Sequence, residues 1–210
     1  MDGATFREQV TDAKQTQLNR LGSNKLLVAL TDADLTARRV LEAAADSEHA
    51  AHTTFSQWAD DEPDERAREA FAAVADREAD HRRRVFDAMD DEYDPNDGGA
   101  LHEYLRGREG AVLRVAAGMV GRGLVADRTH QQVVSFFVNE ADNARADLFR
   151  ELREETESGT ERGLALLETL CESEADWTDA RDAAEYTVQV AYDDYADALR
   201  GMGVDPKPVC

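Results

Sequence analysis

The stretch Phe71–Phe86, FAAVADREADHRRRVF, decides the fold that the sequence predicts. Its apolar residues recur every three or four positions, which is the period of a helix with one buried face. Two residues that do not belong in an apolar core, Glu78 and His81, lie on that same face. Because side chains three positions apart lie on one side of a helix, the carboxylate and the imidazole can reach one small volume. Metal-binding helix bundles project this Glu-x-x-His pair inward, although a solvated helix edge is the alternative in a chain so rich in Glu.

The composition predicts an all-helical protein with one domain. The chain has 210 residues, and only four Pro and 13 Gly interrupt it. Its formal net charge of −21 excludes a general nucleic-acid or anionic-membrane surface, because phosphates would repel so acidic a chain. The only lysines are Lys14, Lys25 and Lys207. Abundant acid with scarce lysine is typical of halophiles that keep concentrated salt in the cytoplasm, and an ordinary acidic protein is the alternative.

Cysteine usage and hydropathy predict a soluble, cytoplasmic protein. Cys171 and Cys210 show no Cys-x-x-Cys spacing, which excludes a thiolate-ligated iron or zinc site. Reduced thiols are expected, with a disulfide as the alternative. No signal peptide is evident, and Arg114 and Arg122 break the most apolar run, 111–125, so no membrane partner is expected.

Apolar periodicity and turn-forming residues predict the helices. The predicted helices span about residues 5–21, 31–59, 71–86, 101–120, 126–155, 162–171 and 178–199. The second is expected to start at Thr31–Asp34, and DDEYDPNDGG at 90–99 is expected to be a loop that divides the chain. Gly118, Gly121 and Gly123 are expected to mark a turn. The apolar face of the last helix suits packing against the bundle or against another subunit.

Each of the four middle helices carries one Glu among apolar neighbours. A buried carboxylate costs several kcal/mol unless it is paired, protonated or bound to metal. The four acids are Glu48, Glu78, Glu109 and Glu140. Glu78 follows Glu48 by 30 positions and Glu140 follows Glu109 by 31, with His81 and Asn143 three positions after the second acid of each pair. This repeat predicts a four-helix bundle with internal pseudo-symmetry, in which the carboxylates converge on a metal.

The residues around these acids resemble the rubrerythrin branch of the ferritin-like superfamily over about residues 35–152, and the first half matches better. In that family the first helix carries Glu, a small residue at +3, an aromatic residue at +7 and Ala at +11. The matching residues are Glu48, Ala51, Phe55 and Ala59. The second helix carries an aromatic residue, Ala at +4 and then Glu-x-x-His. The matching residues are Phe71, Ala75, Glu78 and His81.

The resemblance implies a ferritin-like bundle with a di-iron site. In such a site Glu48 and His81 bind one iron, Glu109 binds the other, and Glu78 and Glu140 bridge them. The sequence departs from the family at Asn143, which replaces the second imidazole with an amide, a weak ligand at best. The cysteine-ligated electron-transfer domain of rubrerythrins is also absent, so a peroxidase would need an external electron donor. The metal site can therefore be dinuclear, mononuclear or lost.

These observations together predict an all-α ferritin-like four-helix bundle at residues 31–155, with an N-terminal accessory helix at 1–30 and a C-terminal helical extension and tail at 156–210. The expected function is that of a non-haem iron or manganese carboxylate protein, a homodimer, that acts on peroxide, oxygen or iron. The expected metal ligands are Glu48, Glu78, His81, Glu109, Glu140 and Asn143.

Two alternatives remain at this point. One is a catalytically degenerate scaffold that acts as an acidic interaction or assembly module, with its acids paired to arginines such as Arg108 and Arg114. The other is an oxygen-dependent hydroxylase on the same bundle, which would share the metal ligands.

Overall fold

A computed structural model describes residues 1–89 and 92–207, and all regular secondary structure within these ranges is helical. The predicted all-α fold class is therefore confirmed. The helices are α1 (Gly3–Ala13), α2 (Gln15–Leu21), α3 (Lys25–Leu30), α4 (Ala37–Asp61), α5 (Glu65–Asp87), α6 (Ala100–Arg106), α7 (Ala111–Arg114), a π-helical segment (Val115–Gly121), α8 (Arg122–Asn139), α9 (Asn143–Leu170) and α10 (Glu174–Gly201). Within the described ranges, none of these helices has both the length and the hydropathy that a membrane crossing requires.

Four long helical rods form a bundle around the candidate site. They are α4, α5, the continuous helix made of α7, the π segment and α8, and α9. α4 packs along α5 and α8 packs along α9, each pair joined by a short connection, at 62–64 and 140–142. Contacts between α5 and α9 join the two hairpins, so residues from all four rods can face one interior volume.

Side-chain caps fix the start of each helix in the first hairpin. Thr36 caps α4 and Asp64 caps α5, and each accepts a hydrogen bond from a backbone N–H of the first turn. The predicted start of α4 at Thr31–Asp34 is wrong, because Asp32 and Ala33 have φ angles of 54° and 64°. A right-handed helix cannot contain such residues, so α4 begins only after them.

The second hairpin differs from the prediction in where its helices begin and end. The predicted helices at 101–120 and 126–155 are wrong. Gly110, with φ of 81°, separates α6 from α7, and Ala141, with φ of 57°, lies in the turn that follows α8. Helical structure therefore runs without a break from 111 to 139, and the fourth rod of the bundle is α9.

Three glycines that the sequence analysis assigned to a turn lie inside this continuous helix. Gly118, Gly121 and Gly123 are buried where neighbouring helices approach closely. A Cβ atom at Gly118 would overlap the Trp58 ring, and one at Gly121 would lie 2.9 Å from the carbonyl oxygen of Ala184. The glycines therefore allow the π segment to pack tightly against α4 and α10, which explains why they do not end the helix.

The C-terminal region packs on the bundle. The inner face of α10 is buried, including the predicted apolar stripe Ala184, Val188, Ala191, Tyr195 and Leu199. α10 contacts the π segment, α6 and the N-terminal helices, which confirms the predicted packing of this face against the bundle.

The predicted boundary at residues 155 and 156 falls inside α9, and the predicted accessory helix is three short helices. Cys210, whose thiol was expected to be reduced, lies outside the described residues, whereas Cys171 is a free cysteine.

Candidate metal centre

The first hairpin brings three of the predicted ligands together. Glu48 on α4 and Glu78 and His81 on α5 each offer an oxygen or nitrogen atom, and these atoms lie within 4.8 Å of one another. Glu48 is 2% exposed, and Glu78 and His81 are 0% exposed. The prediction that these three side chains share one buried volume is confirmed.

The other three predicted ligands do not reach this volume. Glu109 lies in the connection between α6 and α7, Glu140 lies in the turn after α8, and Asn143 is the first residue of α9. All three are exposed. Their assignment as metal ligands is wrong because the chain turns at these positions, where continuous helices with inward faces were expected. The predicted convergence of four glutamates therefore does not occur.

His81 lies between carboxylates from two other helices. Its Nε2 atom is 2.7 Å from Oε2 of Glu155 on α9, and its Nδ1 atom is 3.6 Å from Oε2 of Glu48. Because an ionised carboxylate can only accept, Nε2–H donates to Glu155. A neutral His81 then directs the lone pair of Nδ1 toward Glu48. Both Nδ1 of His81 and Oε2 of Glu48 are buried and have no hydrogen-bond partner in the described part of the chain.

His130 on α8 contacts the second oxygen of Glu48. Its Nε2 atom is 3.2 Å from Oε1 of Glu48, and its side chain is buried. Burial raises the pKa of Glu48, but the hydrogen bond with His130 and the nearby His81 outweigh burial and hold this pKa well below its usual value. Burial lowers the pKa of His81, but Glu48, Glu78 and Glu155 outweigh it and raise this pKa. Glu48 is thus ionised at neutral pH, and a proton competes with any metal for His81.

Two guanidinium groups bind Glu78. Nη2 of Arg77 is 2.7 Å from Oε1, and Nη2 of Arg122 is 2.8 Å from Oε2. The Arg122 side chain is only 5% exposed, so its charge is compensated inside the protein. Each carboxylate oxygen has a second lone pair, so Glu78 can still bind a cation while it accepts these bonds.

The sequence analysis missed four residues of this cluster. Arg77 lies inside the stretch 71–86 but was given no role there. Arg122 was considered only as a break in an apolar run, and Glu155 was placed at the end of a predicted helix. His130 was not considered, although it lies three positions before Val133 and seven before Phe137. Both of these are apolar and buried, so the helical period could have placed His130 beside them.

The donor atoms of His81 and Glu48 are spaced to fit one divalent metal ion, and a donor atom of Glu78 lies within 4.8 Å of both. Two ligands bound to one ion at about 2.1 Å lie about 3.0–3.4 Å apart at angles of 90–110°. The observed 3.6 Å between Nδ1 of His81 and Oε2 of Glu48 is close to this separation and too long for an N–H···O hydrogen bond. Glu155 on the far side of the imidazole gives the carboxylate–histidine arrangement that orients metal-binding histidines. No model of a known protein family, no curated protein and no solved structure matches this chain.

Proposed function

We propose that this centre binds one divalent transition metal through Glu48, Glu78 and His81. On this proposal the protein is a non-haem iron or manganese carboxylate protein, similar to rubrerythrins, that acts on peroxide, oxygen or iron in the cytoplasm. The observation that carries the proposal is the contact between Nδ1 of His81 and Oε2 of Glu48, two buried atoms without another partner. When Nδ1 carries no proton, its lone pair and the carboxylate oxygen repel each other unless a cation lies between them. Because 3.6 Å is too long for a shared proton, a metal ion with bonds of about 2.1 Å fits better.

The surrounding side chains prepare these donor atoms. His130 holds Oε1 of Glu48, which leaves Oε2 of the same carboxylate for the metal. Glu155 accepts from Nε2 of His81 and so selects the tautomer whose Nδ1 atom is free to bind. A bound iron or manganese ion would supply one-electron redox chemistry and a Lewis acid for an oxygen-containing substrate. An external donor would supply the electrons.

The proposal is for one ion and not for the pair of ions that the family resemblance implies. Glu78 would bridge two metals in such a pair, but here the positive charges of two arginines already surround its carboxylate. The buried charge of Arg122 would repel a second cation on that side of the carboxylate. Glu109 and Glu140, which would complete the second half of the site, are exposed.

The arginines also favour a second candidate function. Because Arg77 and Arg122 neutralise Glu78, the centre of the bundle can be stable without a metal. The chain would then be a catalytically degenerate bundle that acts as an acidic interaction or assembly module. The choice between the two candidates depends on whether the Glu48–His81 pair holds a cation other than a proton.

Metal content separates these two functions. The protein is expressed with added iron and manganese, purified without chelator and measured by elemental analysis. We expect about one ion per chain, and a decrease of at least about tenfold in Glu48→Gln. Glu62→Gln is the matched control, because Glu62 is also a buried acid but lies outside the centre, and its partner Arg114 keeps Asp61. Metal content near zero in the wild type would refute the metal proposal and support the scaffold.

A further inference from the structure

A cavity lies beside the candidate metal centre, bordered by α2, α3, α4, α6, α8 and α10. Its volume is about 260 Å³, on the order of nine times the ~30 Å³ that one water molecule occupies in the liquid. Most of its wall is apolar, with contributions from Leu21, Leu26, Leu101, Val125, Ala126 and Ala198. Two buried polar side chains, His102 and Arg122, also line it. An apolar cavity with a few polar groups is the usual form of a small-molecule site.

His102 presents a hydrogen-bond acceptor to this cavity. The hydroxyl of Thr54 donates its only proton to the carbonyl oxygen of Ala50 at 2.8 Å. In the 3.1 Å contact between Thr54 and His102, Nδ1–H of the imidazole must therefore donate. Burial lowers the pKa of His102 to about 3, so the ring is neutral and Nε2 carries a lone pair. Within residues 1–89 and 92–207 this Nε2 atom has no hydrogen-bond partner. It is not fully buried, so it is accessible from the cavity that the ring lines.

Arg122 presents hydrogen-bond donors to the same cavity. Its Nη2 atom donates to Glu78, and its Nε and Nη1 groups have no acceptor among the residues that the structure describes. These two nitrogens are not fully buried, so they are accessible from the cavity that Arg122 lines. The wall of the cavity therefore offers one acceptor, on His102, and at least one donor, on Arg122.

The charges around the cavity favour a neutral ligand. Asp46 and Asp194 lie at its wall, and the chain carries a net charge of −21. Asp46 accepts hydrogen bonds from Tyr93 and Asn96 with both of its carboxylate oxygens. These carboxylates would repel an anion, and a cation would lose more hydration than a neutral molecule against the largely apolar wall.

We propose that this cavity binds a neutral, largely apolar molecule of about ten non-hydrogen atoms that carries a hydroxyl group. The hydroxyl group of the ligand donates its proton to Nε2 of His102, and its oxygen faces the N–H groups of Arg122. Alkylphenols are the simplest members of this class. Binding does not require a metal ion, so this proposal goes beyond the proposed function and can fail independently of it.

Three matched probes test the chemical class by isothermal titration calorimetry. 4-Propylphenol has ten non-hydrogen atoms and a hydroxyl, propylbenzene lacks the hydroxyl, and 4-propylbenzoate replaces it with an anion. We expect 4-propylphenol to bind with a dissociation constant at least about tenfold lower than that of either other probe. Equal binding of propylbenzene would overturn the role of the hydroxyl, and tighter binding of the benzoate would overturn the neutral class. No binding of 4-propylphenol at millimolar concentration would overturn the proposal as a whole.

Three variants test the location. His102→Phe keeps an aromatic ring but removes the acceptor, so 4-propylphenol should bind about tenfold more weakly while propylbenzene changes little. His49→Phe is the matched control, because His49 contacts Asp97 and Arg82 and does not line the cavity. Ala126→Phe places a larger side chain in the cavity and should abolish binding of the phenol. If His102→Phe fails to fold, Ala126→Phe alone tests the location of the site. Unchanged binding of 4-propylphenol in Ala126→Phe would refute that location. Metal content, measured in each variant, separates loss of the ligand from loss of the metal.

Discussion

Removal of the Glu78 carboxylate tests how the centre of the bundle is held together in metal-free protein. Glu78 is fully buried, and the Arg122 side chain is only 5% exposed. Glu78→Gln would leave the Arg122 guanidinium buried without an opposing charge, and such a loss costs about 3–5 kcal/mol. Arg77 is 17% exposed and can turn partly toward water, so it adds less to this cost. We therefore expect the free energy of unfolding to decrease by about 3–5 kcal/mol.

A double-mutant cycle isolates the buried pair. Arg122→Met removes the guanidinium and should also destabilise the protein, because Glu78 then loses one of its two partners. In Glu78→Gln/Arg122→Met neither charge is left without the other, so the combined loss should be smaller than the sum of the single losses by about 1–3 kcal/mol. The measurement is urea unfolding of chelator-treated protein at one fixed salt concentration. Losses that add within about 0.5 kcal/mol would show that the two side chains do not interact and would refute the buried ion pair.

Three further perturbations test other parts of the structure. In the folded protein the pKa of His102 is about 3, so this side chain stays neutral between pH 6.5 and 5. In the unfolded chain the same side chain takes up a proton over this range. The metal-free protein should thus lose roughly 1.5 kcal/mol of stability as the pH falls through this window, and His102→Phe should reduce that loss in urea titrations. Asn143→His should leave the number of metal ions per chain unchanged by elemental analysis, because Asn143 is exposed at the start of α9; an increase would contradict this placement. Gly118→Ala should lower the free energy of unfolding by about 1–3 kcal/mol, because its Cβ would overlap the Trp58 ring, whereas Gly201→Ala has free space and should have little effect.

The first hairpin could be predicted from the sequence because its local signals agree. The apolar period predicted a helix at 71–86, and the structure contains it within α5, which begins earlier, at Glu65, after the Asp64 cap. The second hairpin could not be predicted in the same way. Gly118, Gly121 and Gly123 have the composition of a turn, but they lie inside a helix that packs closely on its neighbours. Gly118 faces Trp58, and the other two face α10 and α9. Only the tertiary contact distinguishes these two roles of glycine.

The candidate site shows the same limit. Glu48, Glu78 and His81 could be predicted because each is a polar residue on an apolar helical face, which is a local property of the sequence. The contact between His81 and Glu155 joins residues 74 positions apart and depends on how α5 packs against α9. The pairing of Arg122 with Glu78 likewise depends on the unexpected course of the helix from 111 to 139. Periodicity therefore identified the candidate ligands on one hairpin but not the residues that the other hairpin contributes.

Anomalous diffraction at the iron and manganese absorption edges tests the central claim most directly. Crystals grown from protein expressed with both metals and purified without chelator should show one anomalous peak per chain. We predict that this peak lies within about 2.3 Å of both Oε2 of Glu48 and Nδ1 of His81. Two peaks about 3.5–4 Å apart would indicate a dinuclear centre and contradict the assignment of a single ion. No peak between Glu48 and His81, with Glu78 bound only to Arg77 and Arg122, would contradict the metal centre itself.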